Sequence, residues 1–250
     1  MEFLFPDWLH APSNVGALST LRRGGCSRPP YDDGQGGGGL NLATHVGDLP
    51  QDVERNRALL RHHLPADPTW LSQVHGSTVI DAADATGVPE ADASIATRAG
   101  VVCAIMTADC LPVLFCDRAG RVVAAAHAGW RGLAAGVLEL TVARMRAAGG
   151  GDIMAWMGPA IGAQRFEVGE DVWEAFAGRD ARLAAAFQAV EGKAGKYLAD
   201  IYRLARAALE RAGVTEVSGG GWCTVNDAER FYSYRRDGVT GRMASLIWLK

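Results

Sequence analysis

Cysteine is scarce: five residues in 250, an odd number scattered as Cys26, Cys103, Cys110, Cys116 and Cys223. That is no disulfide framework, and it fits reduced thiols in a cytoplasm. Long apolar runs are missing too, none approaching the roughly 18 residues needed to span a bilayer. No export signal is visible, because Met1–Asp7 has an early acid at Glu2, no basic start, and Pro6 within its short apolar run. Basic surplus is also lacking: 25 Lys and Arg stand against 28 Asp and Glu, for a net charge of −3. A phosphate-backbone binder needs a concentrated basic surface, and the pairs Arg22–Arg23 and Arg235–Arg236 are too short to make one. These absences predict a cytoplasmic protein with a small-molecule substrate and no membrane or nucleic-acid partner. A monomer or homodimer is expected.

Apolar residues make up 48% of the chain and charged residues 21%, the profile of a globular protein with a large core. A chain of this size folds without metal or disulfide staples, so a bound metal would serve function. No internal repeat or long linker divides residues 1–250, which read as one domain. Val101 to Met106, Leu111 to Cys116 and Arg121 to Ala126 read as buried strands, with Trp70 to Ile80, Ile153 to Met157, Val214 to Trp222 and Ala244 to Leu249 as others. Helical spacing is expected over 51–63, Gly132 to Ala148, Glu167 to Phe176 and Lys196 to Ala212, the last stopping at Gly213. The class is mixed α/β. Asp32 to Gly39, with five glycines, reads as a mobile surface loop.

Three positions stand out chemically. In Thr107-Ala108-Asp109-Cys110-Leu111-Pro112 a polar Asp-Cys pair lies where two apolar strands meet, with Pro112 marking a strand end or bulge. Cys103 and Cys116 lie within apolar runs and read as core. In Ala126-His127-Ala128-Gly129-Trp130-Arg131-Gly132 a buried strand ends in a histidine and turns into a helix, whose first N–H groups, with Arg131, suit an anion. In Gln73-Val74-His75-Gly76 a histidine ends an apolar run. Two imidazoles and a thiol allow two chemistries. One is a three-ligand zinc site with an open fourth position that acidifies water; the other is a metal-free Cys–His nucleophile pair. Separations of 35 and 17 residues announce neither. Asp109 suits a partner that orients a ligand. Gly158 to Gly162 reads as a turn or a site wall, and Phe231 to Arg236 offers aromatic faces and cations suited to a flat heterocycle.

As a set, these motifs resemble the laccase-domain (YfiH-like) family, whose members are described as polyphenol oxidases and as purine nucleoside phosphorylases. Gln73-Val74-His75-Gly76, Ala108-Asp109-Cys110-Leu111-Pro112, His127 to Gly132, Gly158 to Gly162, Glu167-Val168-Gly169, Phe231 to Gly238 and Thr240 to Ser245 carry the likeness in order. Arg22-Arg23-Gly24-Gly25 and Asn41-Leu42 extend it upstream. The resemblance implies mixed β-sheets packed together and flanked by helices. It also implies that His75, Cys110 and His127 bind a metal, zinc or copper, and that Arg22 and Asn41 belong to the substrate pocket. The chain departs from the pattern in the glycine-rich insertion before Leu40 and in Leu21, which interrupts the usual Ser-Thr-Arg order.

The expected activity is zinc-dependent purine nucleoside processing: phosphorolysis to base and ribose 1-phosphate, and deamination of adenosine. Cys110, His75 and His127 would be the catalytic residues, Arg22, Asn41 and Arg131 the substrate-binding ones. A copper-dependent polyphenol oxidase is the first alternative, but a multicopper array needs a histidine-rich cluster, and only His10, His45, His62 and His63 remain. The second alternative is a Cys–His hydrolase acting on an amide, as in a cell-wall precursor.

Overall fold

The computed structural model describes all residues from 1 to 250. Its core is two sheets laid face to face. The first runs in the order Phe3–Leu4, Val15–Thr20, Met243–Leu249, Val102–Thr107, Pro68–Thr69, antiparallel until its last pair. The second runs Glu216–Gly219, Ile153–Met157, Leu111–Asp117, Val123–Ala128, Ala93–Ala96, Val79–Asp81, with parallel pairs at both edges and antiparallel strands between.

Side chains alternate between the faces of a strand, and here both faces are covered. Cys103, Ile105 and Ile247 of the first sheet meet Leu114, Cys116, Val123 and Ala125 of the second. Val102, Ala104 and Met106 point the other way, toward Leu40, Leu42 and Leu60, the last on helix Pro50–Arg61. On the far side of the second sheet, Val113, Phe115, Ala124 and Ala126 pack under helices Val137–Ala147, Ile201–Arg211 and Glu170–Phe176. The result is four layers, helix on sheet on sheet on helix, the mixed α/β arrangement expected.

Ile201–Arg211 shows why such a helix forms. The Asp200 carboxylate accepts the Arg203 N–H at 3.0 Å, satisfying one free donor of the first turn. Ile201, Leu204, Ala205, Ala208 and Leu209 recur at helical spacing and are buried, and Gly213 takes a left-handed φ of 73° just beyond the end.

The structure corrects several boundaries. Trp70 to Thr78 is no strand: Pro68–Thr69 and Val79–Asp81 are the paired pieces, with an irregular loop between. Gly132 to Ala148 is two helices, Trp130–Ala134 and Val137–Ala147, because Gly136 turns at φ 85°. The starts of the 167–176 and 196–212 segments, Glu167–Gly169 and Lys196–Ala199, pair in a small three-stranded sheet instead. Phe231 and Tyr232 are buried, and Tyr234–Asp237 is a single helical turn capped by Ser233. The glycine-rich loop is held in place: the Asp33 carboxylate accepts the N–H groups of Gln35 and Gly37, both at 2.8 Å, and Gly39 bridges to Arg23 and Ser27.

Candidate metal centre

Antiparallel register converts sequence distance into contact. Leu111 pairs with Ala128 and Pro112 with His127, so Cys110, one residue before, meets the chain beyond His127. Ala93 pairs with Ala126 and with Val79, so Asp92 sits beside His127 and the loop carrying His75 closes over the same sheet end. His75, Cys110 and His127 thereby offer ligand atoms all within 4.8 Å of one another. The Cys110 Sγ lies 3.8 Å from His75 Nε2, and the imidazoles meet edge to face at 4.8 Å between centroids.

Asp92, which no motif in the sequence flags, organises this group. It is fully buried. Its carboxylate accepts the Val74 N–H at 3.2 Å, the His75 N–H at 2.9 Å and the Gly76 N–H at 2.7 Å. The same carboxylate lies 2.8 Å from His127 Nδ1, so Nδ1–H donates and Nε2 is left to face the thiol. Its carbonyl accepts the His127 N–H at 2.7 Å. The one signal for it in the sequence is an acid flanked by Ala91 and Ala93 at the mouth of an apolar strand.

Asp109, expected to orient a ligand, contacts neither histidine in this way. Its carboxylate accepts the Thr224 hydroxyl at 2.5 Å and the Arg235 N–H at 2.6 Å. That anchors the backbone before Cys110. His75 and Asp109 are the two non-glycine residues with positive φ, at 61° and 89°. Such backbone persists where surrounding bonds over-determine it, as those of Asp92 and Asp109 do here. Gln73 completes the loop by exchanging hydrogen bonds with the Met106 backbone, both at 2.8 Å. Gly129 leaves the space: a Cβ there would stand 2.9 Å from His75 and 3.1 Å from Cys110 Sγ.

Charge follows from this geometry. Burial pushes the Cys110 thiol up, but the charge and hydrogen bond of His127, with those of His75, bring it down to about 6. Burial pushes His127 down, but the Cys110 thiolate and the Asp92 carboxylate raise it to about 9. Burial also opposes ionisation of Asp92, and hydrogen bonds from His127 and Gly76 hold it below the usual carboxylate range. Cys103 and Cys116, as expected of core thiols, are pushed up to about 12 by burial.

The donors suit a metal. Bond lengths to zinc near 2.0–2.3 Å set a tetrahedral N···S separation of about 3.6 Å, close to the 3.8 Å here. The carboxylate behind His127 is the usual companion of a ligating imidazole. The structure gathers this one group of three donors. His62 and His63 follow the end of helix Pro50–Arg61.

Two clefts of about 370 Å³ each open on either side of Cys110. They share His75, Ala108, Cys110 and Tyr234. One is lined by His45, Gln73, Thr107, His127 and Arg242; the other by Trp130, Arg131, Ile161, Phe166, Val172 and Arg235 among others. Arg131 lines the same cleft as Cys110, its guanidinium over the Trp130 ring at 4.4 Å, and helix Trp130–Ala134, with only five residues, has an N-terminus too short to carry an anion site. Arg22 and Asn41 line neither cleft. The Arg22 guanidinium is buried and donates to the carbonyls of Asp32 and Ala228. Asn41 is fully buried and accepts the backbone N–H of Arg242 at 3.0 Å. His45 and Arg242 escape notice in the sequence, because nothing near either marks it as facing a thiol.

A family model described as multi-copper polyphenol oxidoreductase laccase matches residues 16–250. The chain belongs to that family. Among relatives of this laccase-family chain, purine nucleoside phosphorylase PA4543 of Pseudomonas aeruginosa is 53% identical over 248 residues, covering 99% of this chain and 98% of that protein. Purine nucleoside phosphorylase YfiH of Escherichia coli is 53% identical over 254 residues, covering 99% of both. The crystal structure of Neisseria meningitidis protein NMB0706 superposes with a TM-score of 0.91 at 52% identity, covering 99% of both chains. A Bacillus licheniformis protein described as hypothetical protein YfiH gives 0.84 at 31% identity, covering 94% of this chain and 93% of that one. The resemblance read from the motifs is thus shown over nearly the whole length. No helix of this laccase-family chain is long and apolar enough to cross a membrane.

Proposed function

We propose that this chain is a zinc-dependent purine nucleoside-processing enzyme, phosphorolysing nucleosides to base and ribose 1-phosphate and deaminating adenosine to inosine. The observation that carries the reading is the meeting of a thiol and two imidazoles where two substrate-sized clefts join. Relatives that match along their whole length bear the name purine nucleoside phosphorylase, which supports it.

His75 Nε2, His127 Nε2 and Cys110 Sγ would hold the ion, and when bound it supplies Lewis acidity and makes water a better nucleophile at neutral pH. The chain's own residues do the rest. Asp92 fixes the ring of His127 and the loop of His75. Trp130 and Phe166 give the second cleft flat apolar walls for a purine. The open end of each cleft admits the second reactant, phosphate or water.

Zinc-loaded protein given adenosine and phosphate should release adenine and inosine, with inosine alone when phosphate is omitted. Cys110→Ala should lose both products. An inactive zinc-loaded wild type would overturn the reading. The family description favours copper-dependent phenol oxidation as a second reading, since copper competes well for such donors. The metal content of protein never exposed to added copper decides between them. The lowered Cys110 thiol also suits a Cys–His hydrolase; turnover of adenosine abolished by thorough chelation argues against it.

A further inference from the structure

The two clefts differ in charge. The second carries acids as well as cations, Glu167 and Asp171 beside Arg131 and Arg235. The first has no carboxylate in its lining, and its fixed positive charge is the Arg242 guanidinium.

Arg242 is half-buried, and its Nη1 donates to the carbonyls of Thr240 and Gly241, both at 3.0 Å. Neither its Nε–H nor its second amino group has a hydrogen-bond partner in the protein, and the acids whose charge reaches it, Cys110 and Asp109, form no ion pair with it. Its backbone N–H is fixed by Asn41 Oδ1, and Asn41 is in turn tied to Asp48 at 2.9 Å. His45 lines the same space. Partial desolvation, then repulsion from Arg242 and Arg57, holds the protonation of His45 down, although the residue reaches solvent. A half-buried guanidinium outside any ion pair gains from a ligand that brings negative charge, and its planar fork matches an oxyanion.

We propose that the first cleft is the anion subsite of this enzyme, where Arg242, with His45 beside it, binds inorganic phosphate against a nucleoside seated in the second cleft. Phosphate as the reactant rests on the phosphorolysis reading above; the binding of phosphate by this cleft does not depend on turnover. In the reaction a phosphate oxygen bonds to C1′ as the bond from C1′ to the purine nitrogen breaks. The bonding pair leaves with the purine, and the hydrogen of monohydrogen phosphate ends on that nitrogen. Asn41 is then a positioning residue, acting through the backbone of Arg242.

The test is calorimetric titration of inorganic phosphate into the zinc-loaded protein. Wild type should bind, Arg242→Gln should bind at least about tenfold more weakly, and Arg242→Lys should recover part of the loss. His45→Ala, on an exposed residue that tolerates substitution, should weaken binding by a few-fold, whereas Arg131→Gln in the other cleft should leave the affinity as it is. The KM for phosphate should rise in parallel in Arg242→Gln. No binding by wild type, or an affinity that follows Arg131 and ignores Arg242, overturns the subsite. Turnover of AMP at a rate indifferent to added phosphate also overturns it, since the cation would then serve a nucleotide's own phosphate. Phosphate binding that depends on Arg242 in a protein inactive on nucleosides would overturn the reading of function and leave the subsite standing.

Discussion

At Asp92 one carboxylate serves both histidines of the candidate site, taking three backbone N–H groups of the His75 loop and the Nδ1–H of His127. Asp92→Asn keeps the shape but presents an amide where acceptors are needed. Loss of a carboxylate behind a ligating histidine weakens metal binding by about 10–100-fold, and Asp92→Asn should fall in that range in competition with a chromophoric chelator. The thiol offers a second check at this scale. In metal-free protein Cys110 is brought down to about 6 by the neighbouring imidazoles, against an ordinary value of 9.0. A lowered pKa means the thiolate forms as pH rises through about 6. Alkylation by iodoacetamide should therefore climb between about pH 5 and 7, where an ordinary cysteine is at most a few per cent ionised, and added zinc should protect it. An alkylation curve centred above about pH 8, where an unperturbed thiol titrates, would show that the imidazoles do not act on Cys110. Cys110, His75 and His127 were all readable from their motifs. Asp92, His45 and Arg242 were not, because what marks them is whom they face.

Among elements, the segment from Gly129 to Ala147 separates two uses of glycine. Gly129 has an ordinary φ of −58°, so alanine there strains no backbone; its Cβ instead meets His75 and Cys110 Sγ. Gly129→Ala should lose about 1–3 kcal/mol in urea unfolding from overpacking and most of its zinc affinity with it. Gly136 sits at φ 85°, and a Cβ added there would find nothing nearer than 3.8 Å. Gly136→Ala should lose about 1–2 kcal/mol in urea unfolding from backbone strain alone and retain its zinc. The sequence pattern located the helices around this break but merged two of them, since apolar spacing continues across Gly136. It also made one strand of Trp70 to Ile80, because Leu71, Val74 and Ile80 are apolar; in the fold Val74 is exposed and Asp92 holds the loop open.

Across the whole molecule, stability resides between the sheets and chemistry at their end. Ile247 lies in the C-terminal strand Met243–Leu249, which runs between Val15–Thr20 and Val102–Thr107 and so joins both chain ends to the middle. It is fully buried in the inter-sheet core, and Ile247→Ala should cost about 2–5 kcal/mol in denaturant unfolding. The candidate metal centre lies outside that core. Stripping zinc with a chelator should abolish nucleoside turnover while far-ultraviolet circular dichroism and a cooperative melt persist, the midpoint falling only by the binding energy removed. Collapse of the fold on chelation would show the metal to be structural.

The chain's own order of residues determined that a large α/β core forms, since alternating and helical apolar spacing dictate which side chains leave water. It also singled out a thiol and two histidines, whose chemistry is intrinsic to the residue type. Only strand pairing and loop packing could decide that they converge: antiparallel register joins Cys110 to His127, 17 positions apart, and the Asp92 carboxylate draws in the loop of His75, 35 positions before Cys110. The same holds for the companions of the site. Whether Arg22 or Arg242 lines the cleft depends on which guanidinium is drawn to backbone carbonyls at Nε and both amino groups, as that of Arg22 is, and that is settled only when distant loops pack.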